Sequence, residues 1–116
     1  MKIKTFCFDI DNTLLSTKKN LYSQSKPIKK NIMVVNQLFK KGHKIILFTA
    51  RGMTTYSGKL KLINKKLGSL TVKQLKKYNV NYHKLIFGKP AYDYIIDDKS
   101  IFYKKNWSDD FIKKFT

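Results

Sequence analysis

Four short runs of β-branched and aromatic residues, the first three separated by stretches with helical spacing, constrain this fold more than any other feature. Lys2 to Phe8 suits a strand ending at Asp9. Lys44 to Phe48 suits a buried strand ending at Thr49. Leu85 to Phe87 is a third candidate, ended by Gly88, and Tyr92 to Ile96 a fourth, running into Asp97. Between the first two, Ile28, Ile32, Val35 and Phe39 make one apolar helical stripe. Pro27 fits its first turn, and Gly42 the residue just past its end. From Gly52 to Asn79 a helical pattern is broken at Gly68, and Thr71 with Gln74 gives a capping-box signal after the break. Trp107 to Phe115 reads as a closing helix, with Ser108 as N-cap and Asp109 and Asp110 in its first turn.

Alternation of this kind predicts an α/β fold, a three-layer Rossmann-like sandwich around a mainly parallel sheet. Its 116 residues make one domain and show no linker or repeat. Open sheets of this type place their ligand crevice at the carboxyl ends of the strands. Asp9, Thr49 and Asp97 each fall at such an end, so the fold is expected to bring distant residues to one rim.

The charge pattern sharpens which of them matter. Lys plus Arg number 25 against 7 acids, a net charge of +18. A single arginine, Arg51, stands among the lysines, and every acid is Asp. Lysines spread along the whole chain, without arginines for bidentate base contacts, read as compositional bias rather than a nucleic-acid surface. Nucleic acid remains an open but unfavoured partner. No apolar run approaches the roughly 20 residues that a spanning helix needs, and the start lacks the pattern of a secretory signal. A cytoplasmic protein without a membrane partner is expected, its one cysteine, Cys7, a buried inert thiol. His43 and His83 lack metal-ligand spacing and are expected to be structural.

Four of the seven acids sit in two tight clusters, Asp9/Asp11 and Asp97/Asp98. Crowded carboxylates repel unless a cation intervenes, and hard oxygen ligands suit Mg²⁺. Asp pairs also serve ordinary turns and helix caps. Thr49-Ala50-Arg51-Gly52 supplies a hydroxyl and successive amides for phosphate oxygens. Lys89 in Gly-Lys-Pro adds a cation at a strand exit. For Arg51 two readings stand, a fork on substrate phosphate or carboxylate and a surface salt bridge.

Taken in order, these segments resemble the four motifs of the haloacid dehalogenase superfamily. Asp9-Ile-Asp11-Asn-Thr13 resembles the first, Thr49 in Leu-Phe-Thr-Ala-Arg the second, Lys89 in Gly-Lys-Pro the third, and Asp97-Asp98 after Ile-Ile the fourth. The stretch from Gly88 to Ser100, with Thr-Ala-Arg-Gly-Met, is similar to small phosphatases of capsule and surface-polysaccharide biosynthesis. The resemblance implies a Mg²⁺-dependent phosphomonoesterase in which Asp9 is nucleophile and Asp11 general acid and base. It implies Thr49 and Lys89 as holders of the phosphoryl oxygens, beside Ala50 and Arg51, which the residue pattern offers as further phosphate or substrate contacts. Mg²⁺ would be held by the Asp9 carboxylate, the Asp11 carbonyl and Asp97, with Asp98 as a further ligand or a partner to one. An acid at position 11 favours a phosphatase over the family's ATPases, which often carry Thr there. The intervals between motifs leave no room for the cap domain that the family often adds. Substrate choice then falls to residues 12–26, residues 51–56 or a neighbouring subunit, which leaves a homo-oligomer open. The expected substrate is a small phosphorylated sugar, polyol or related metabolite. The alternatives are a nucleic-acid phosphate end as substrate, or an idle basic domain that binds nucleic acid.

Overall fold

Three of the four apolar runs form the sheet. In the computed structural model, which describes residues 2–115, β1 is Thr5–Phe8, followed by a hairpin of two-residue strands, β2 (Leu15–Ser16) and β3 (Lys26–Pro27). Helix α1 (Lys29–Lys40) leads into β4 (Lys44–Thr49). Helix α2 (Leu60–Ile63), a π-helical segment over Asn64–Gly68 and helix α3 (Ser69–Lys77) lead into β5 (Lys84–Phe87), and α4 (Trp107–Phe115) closes the chain. The main sheet has the order β1-β4-β5 and is parallel throughout. Phe8 pairs with Leu47 and Thr49 with Phe87, so the carboxyl ends of the strands line one edge of the fold.

The alternation of side chains along β1 and β4 decides which face is packed. Phe8, Ile45 and Leu47 share a core with Val34, Val35 and Leu38 of α1, Leu75 of α3, and Trp107 and Phe111 of α4. Each such side chain, fully buried, adds roughly 1.5–3 kcal/mol. Phe6 bridges sheet and closing helix, its ring 5.6 Å from Phe111 and 5.3 Å from Phe115. The opposite face is thinly covered. Ile46 and Phe48 are only half-buried there, Ile86 is 37% exposed, and Cys7 is exposed rather than buried as expected. The α/β class, the parallel sheet and the lack of a cap domain among the described residues hold, and the core-building helices gather on one face.

Several local expectations shift for identifiable reasons. Pro27 belongs to β3 instead of the first turn of α1, because the Ile28 amide donates to the Leu14 carbonyl (2.9 Å) and holds this segment against β2. Gly42 does follow α1, with φ of +94°, a conformation that favours glycine. Gly68 does not break the helix between β4 and β5. The path stays helical through the π segment, where the Asn64 side chain lies 2.5 Å from the place a Cβ of residue 68 would take. Ser108 lies inside α4 and is not its cap. The largest departure is the fourth strand. Residues 88–106 contain no helix or strand, and Tyr94 (91%) and Ile96 (99%) are almost fully exposed. His43 and His83 are structural, their Nδ1 atoms accepting from the Lys4 and Ile45 amides at 3.0 Å.

Candidate functional site

The chain leaves β1 at Asp9 and turns at once. The Ile10 carbonyl accepts from the amides of Thr13, Leu14 and Leu15, and Asn12 takes a positive φ of 62°. This tight loop directs the Asp9 and Asp11 side chains from one strand end, and Asn31 of α1 braces it by donating to the Thr13 carbonyl (2.8 Å). The Asp9 carboxylate accepts from the Thr13 hydroxyl (3.3 Å) and pairs with the Lys89 ammonium at 3.5 Å. Lys89 reaches it because its amide donates to the Thr49 carbonyl (3.1 Å), which extends the β4–β5 ladder just beyond the sheet. Asp9, Thr49 and Lys89 therefore meet at one rim. Thr49 is fully buried, and its Oγ1 accepts from the Arg51 amide (3.1 Å), leaving its own proton to donate. Ala50 is half-buried in the turn that follows, where its carbonyl accepts from the Met53 amide.

Burial raises the Asp9 pKa above the usual carboxylate range, and the Asp11 charge adds to this. Lys89 and the Ile10 amide partly oppose the shift. Burial works against the charge of Lys89 too, but the Asp9 carboxylate and the Tyr92 hydroxyl outweigh it, so the Lys89 pKa is raised. The rim thus holds a half-buried carboxylate against a firmly charged ammonium.

Asp11 has separate partners. Its carboxylate accepts from Arg51 Nε (2.9 Å to Oδ2, 3.2 Å to Oδ1) and from the second guanidinium nitrogen (2.9 Å to Oδ1). The guanidinium is only 1% exposed as a residue, and its remaining donors go to Thr71 Oγ1 (3.1 Å), Gln74 Oε1 (2.7 Å) and Ser25 Oγ (3.4 Å). All five N–H groups of an arginine are thereby engaged. The Tyr22 ring lies against it, 4.9 Å from ring centre to Cζ. This corrects both readings of Arg51. It is neither a fork on the substrate nor part of a surface salt bridge, because every donor it has is already used inside the protein.

Asp97 and Asp98 are not brought to this rim. Asp97 caps a turn, accepting from the Lys99 amide (3.0 Å) while its carbonyl accepts from Ser100. The Lys99 amide, and secondarily the Asp98 side chain, lower its pKa. Both residues are exposed, since the strand meant to carry them does not form. Among the described residues no group of three or more His, Cys, Asp or Glu gathers as a metal site. Lys89 occupies one flank of Asp9, and Asp97 and Asp98 do not join Asp9 and Asp11 in a common cluster. The expected Mg²⁺ ligands do not fit together in this arrangement, and no chemical step is derived through the ion.

Thr17, Ser25, Tyr22, Thr71 and Gln74 escaped sequence reasoning as site residues. Thr71 and Gln74 were visible as a Thr-x-x-Gln pair, but both point away from any cap. Thr71 donates to the Leu67 carbonyl (2.8 Å) and Gln74 to the Tyr22 carbonyl, while both accept from Arg51. A polar pair three apart on a helix, beside the fully buried Leu75, was the available signal.

Comparison with known proteins bears on the family and the fold. The sequence model of the haloacid dehalogenase-like hydrolases matches residues 6–72, more than half of the chain. The fold is similar to a crystal structure of a target protein from Vibrio cholerae, with a TM-score of 0.80 and 28% identity over 85% of this chain and 83% of that one. No curated protein matches the chain.

Proposed function

The chain belongs to the haloacid dehalogenase-like hydrolases, and from that premise we propose that it is a phosphomonoesterase working through an aspartyl-phosphate on Asp9. The observation that carries the reading is the meeting of Asp9, Lys89 and Thr49 at the ends of three parallel strands. A carboxylate there can attack phosphorus in line, with an ammonium and a hydroxyl for the phosphoryl oxygens. Such positioning and charge stabilisation do most of the work in phosphoryl transfer. Asp11 would protonate the leaving alcohol, then take a proton from the water that hydrolyses the intermediate.

A small phosphorylated sugar, polyol or related metabolite is the proposed substrate, supported by the likeness of residues 88–100 to capsule-biosynthesis phosphatases. The Mg²⁺ requirement is proposed from the family alone. If the ion takes part, Asp97 and Asp98 must move to Asp9, and Mg²⁺ will slow hydrogen exchange over residues 92–99. The cytoplasmic setting is proposed from the sequence; no helix is long and apolar enough to cross a membrane among the described residues.

The decisive test is phosphate release from p-nitrophenyl phosphate and a sugar-phosphate panel, with Mg²⁺ supplied. Asp9→Asn should lower kcat by at least roughly 10³-fold, the scale of removing a nucleophile. Activity surviving that substitution, or absent from the wild type, would sink the reading.

A further inference from the structure

The contacts around Asp11 define a direction for every proton. Thr17 donates its only hydroxyl proton to Asp11 Oδ1 (2.6 Å). In the 2.7 Å contact between Thr17 and Ser25, Ser25 must therefore be the donor, and its own oxygen accepts from Arg51. A closed ring results, from Arg51 to Ser25 to Thr17 to Asp11 and back through the guanidinium fork. Thr17 and Ser25 are both buried, with 6% and 4% of their surface exposed. The two carboxylate oxygens are treated unequally. Oδ1 accepts from Thr17 and from two guanidinium nitrogens, whereas Oδ2 accepts from Nε alone. The carboxylate plane is pinned, and one oxygen keeps unused capacity.

We propose that Arg51 and Thr17 are positioning residues that hold Asp11 by three contacts on Oδ1 and a single one on Oδ2, so that Oδ2, with a lone pair to spare, is the oxygen that exchanges the proton with substrate. The proposal rests on the phosphatase reading and adds the atom and the residues that aim it. In the first step an Asp9 oxygen forms its bond to phosphorus while the bond from phosphorus to the leaving oxygen breaks. That oxygen keeps the bonding pair and takes the proton from Asp11 Oδ2. In the second step water attacks the aspartyl-phosphate, the Asp9 oxygen departs with the pair, and the water proton returns to Oδ2.

The clamp defines a substrate class that depends on it. An alkyl phosphate releases an alkoxide that needs a proton as it departs, whereas p-nitrophenolate is stable without one. Since kcat/KM reports only steps up to leaving-group departure, the two ester classes separate the aim of Asp11 from everything else. Aryl and alkyl phosphates should be compared, with Mg²⁺ present, for wild type, Arg51→Lys and Thr17→Val. Arg51→Lys keeps the charge and loses the fork. It should cost alkyl phosphates roughly 10²-fold in kcat/KM, the scale of general acid catalysis, and at least roughly tenfold more than it costs the aryl ester. Thr17→Val should shift the ratio in the same direction by a smaller factor, and carries the test if Arg51→Lys does not fold. Equal losses on both esters in folded variants, or no loss on either, overturn the positioning roles and leave the phosphatase reading standing. A wild type that cleaves neither ester overturns both.

Discussion

The two acidic clusters are written alike in sequence and built differently in space. Asp9 and Asp11 leave a strand whose register against β4 is fixed at four residue pairs, and each finds a basic partner, Lys89 or Arg51. Asp97 and Asp98 follow a segment with the same apolar character but no strand partner, and Asp97 spends its hydrogen bonds on its own turn. A strand end places a side chain only when the strand itself is paired. Side-chain chemistry is common to both clusters, and backbone pairing separates them.

The strongest way to break this comparison is to remove the partners. Arg51→Ala leaves the Asp11 carboxylate, four-fifths buried, without its cation. Losing one member of such a pair costs about 3–5 kcal/mol, a large share of the roughly 5–15 kcal/mol that stabilises an ordinary domain. Urea unfolding should show that loss, while Asp97→Asn with Asp98→Asn should leave the midpoint in place. A comparable shift from the second pair would mean that residues 88–106 are as firmly built as the first cluster. Proteolysis gives an independent view of the same contrast. Trypsin should cut first within residues 92–105, where the backbone lies outside any helix or strand, and only later within residues 5–87. First cuts in the β2–β3 hairpin would reverse the ranking.

Most of the frame was legible because it rests on local signals. The β4 run, the α1 stripe with its terminal Gly42, and the closing amphipathic helix all announce themselves through spacing and punctuation. Tyr92–Ile96 carries the same β-branched and aromatic character, but whether such a run pairs depends on an edge elsewhere in the chain, and composition holds no record of that. At the site, Asp9, Thr49 and Lys89 could be placed from strand ends alone. The Arg51 ring could not, since it joins residues at positions 11, 17, 25, 51, 71 and 74 through side-chain rotamers. The lone arginine was visible, but its partners were ordinary Thr, Ser and Gln that the pattern assigned to loops and caps.

A smaller effect sharpens how the two halves of the first cluster are held together. Gly52 follows Arg51 with φ of +79°, and an added Cβ would lie 2.9 Å from a Leu67 methyl and 3.1 Å from Ile63. Gly52→Ala should therefore destabilise the fold by about 1–2 kcal/mol through backbone strain. The same change presses the turn that aims Arg51, so it should also weaken alkyl-phosphate turnover more than aryl. A loss of stability with an unchanged ester ratio would show that the ring tolerates movement of its backbone.

The smallest effect concerns pH and separates the two halves by charge. Burial lifts the Asp9 pKa in the folded state above its unfolded value, so the native protein holds that proton more tightly. Stability from this group is full below the unfolded pKa and falls as pH rises through the folded one. In the absence of divalent cation, unfolding free energy followed upward through the ordinary carboxylate range should carry this downward component, and Asp9→Asn should remove it. The Lys89 contribution cannot mimic it. A raised lysine pKa gives stability that is lost only as pH climbs through the alkaline range. A wild type and an Asp9→Asn variant with parallel pH profiles in acid would mean that Lys89 and the Ile10 amide fully offset the burial of Asp9. Asp9, though half-buried, would then bind its proton as an ordinary exposed carboxylate does.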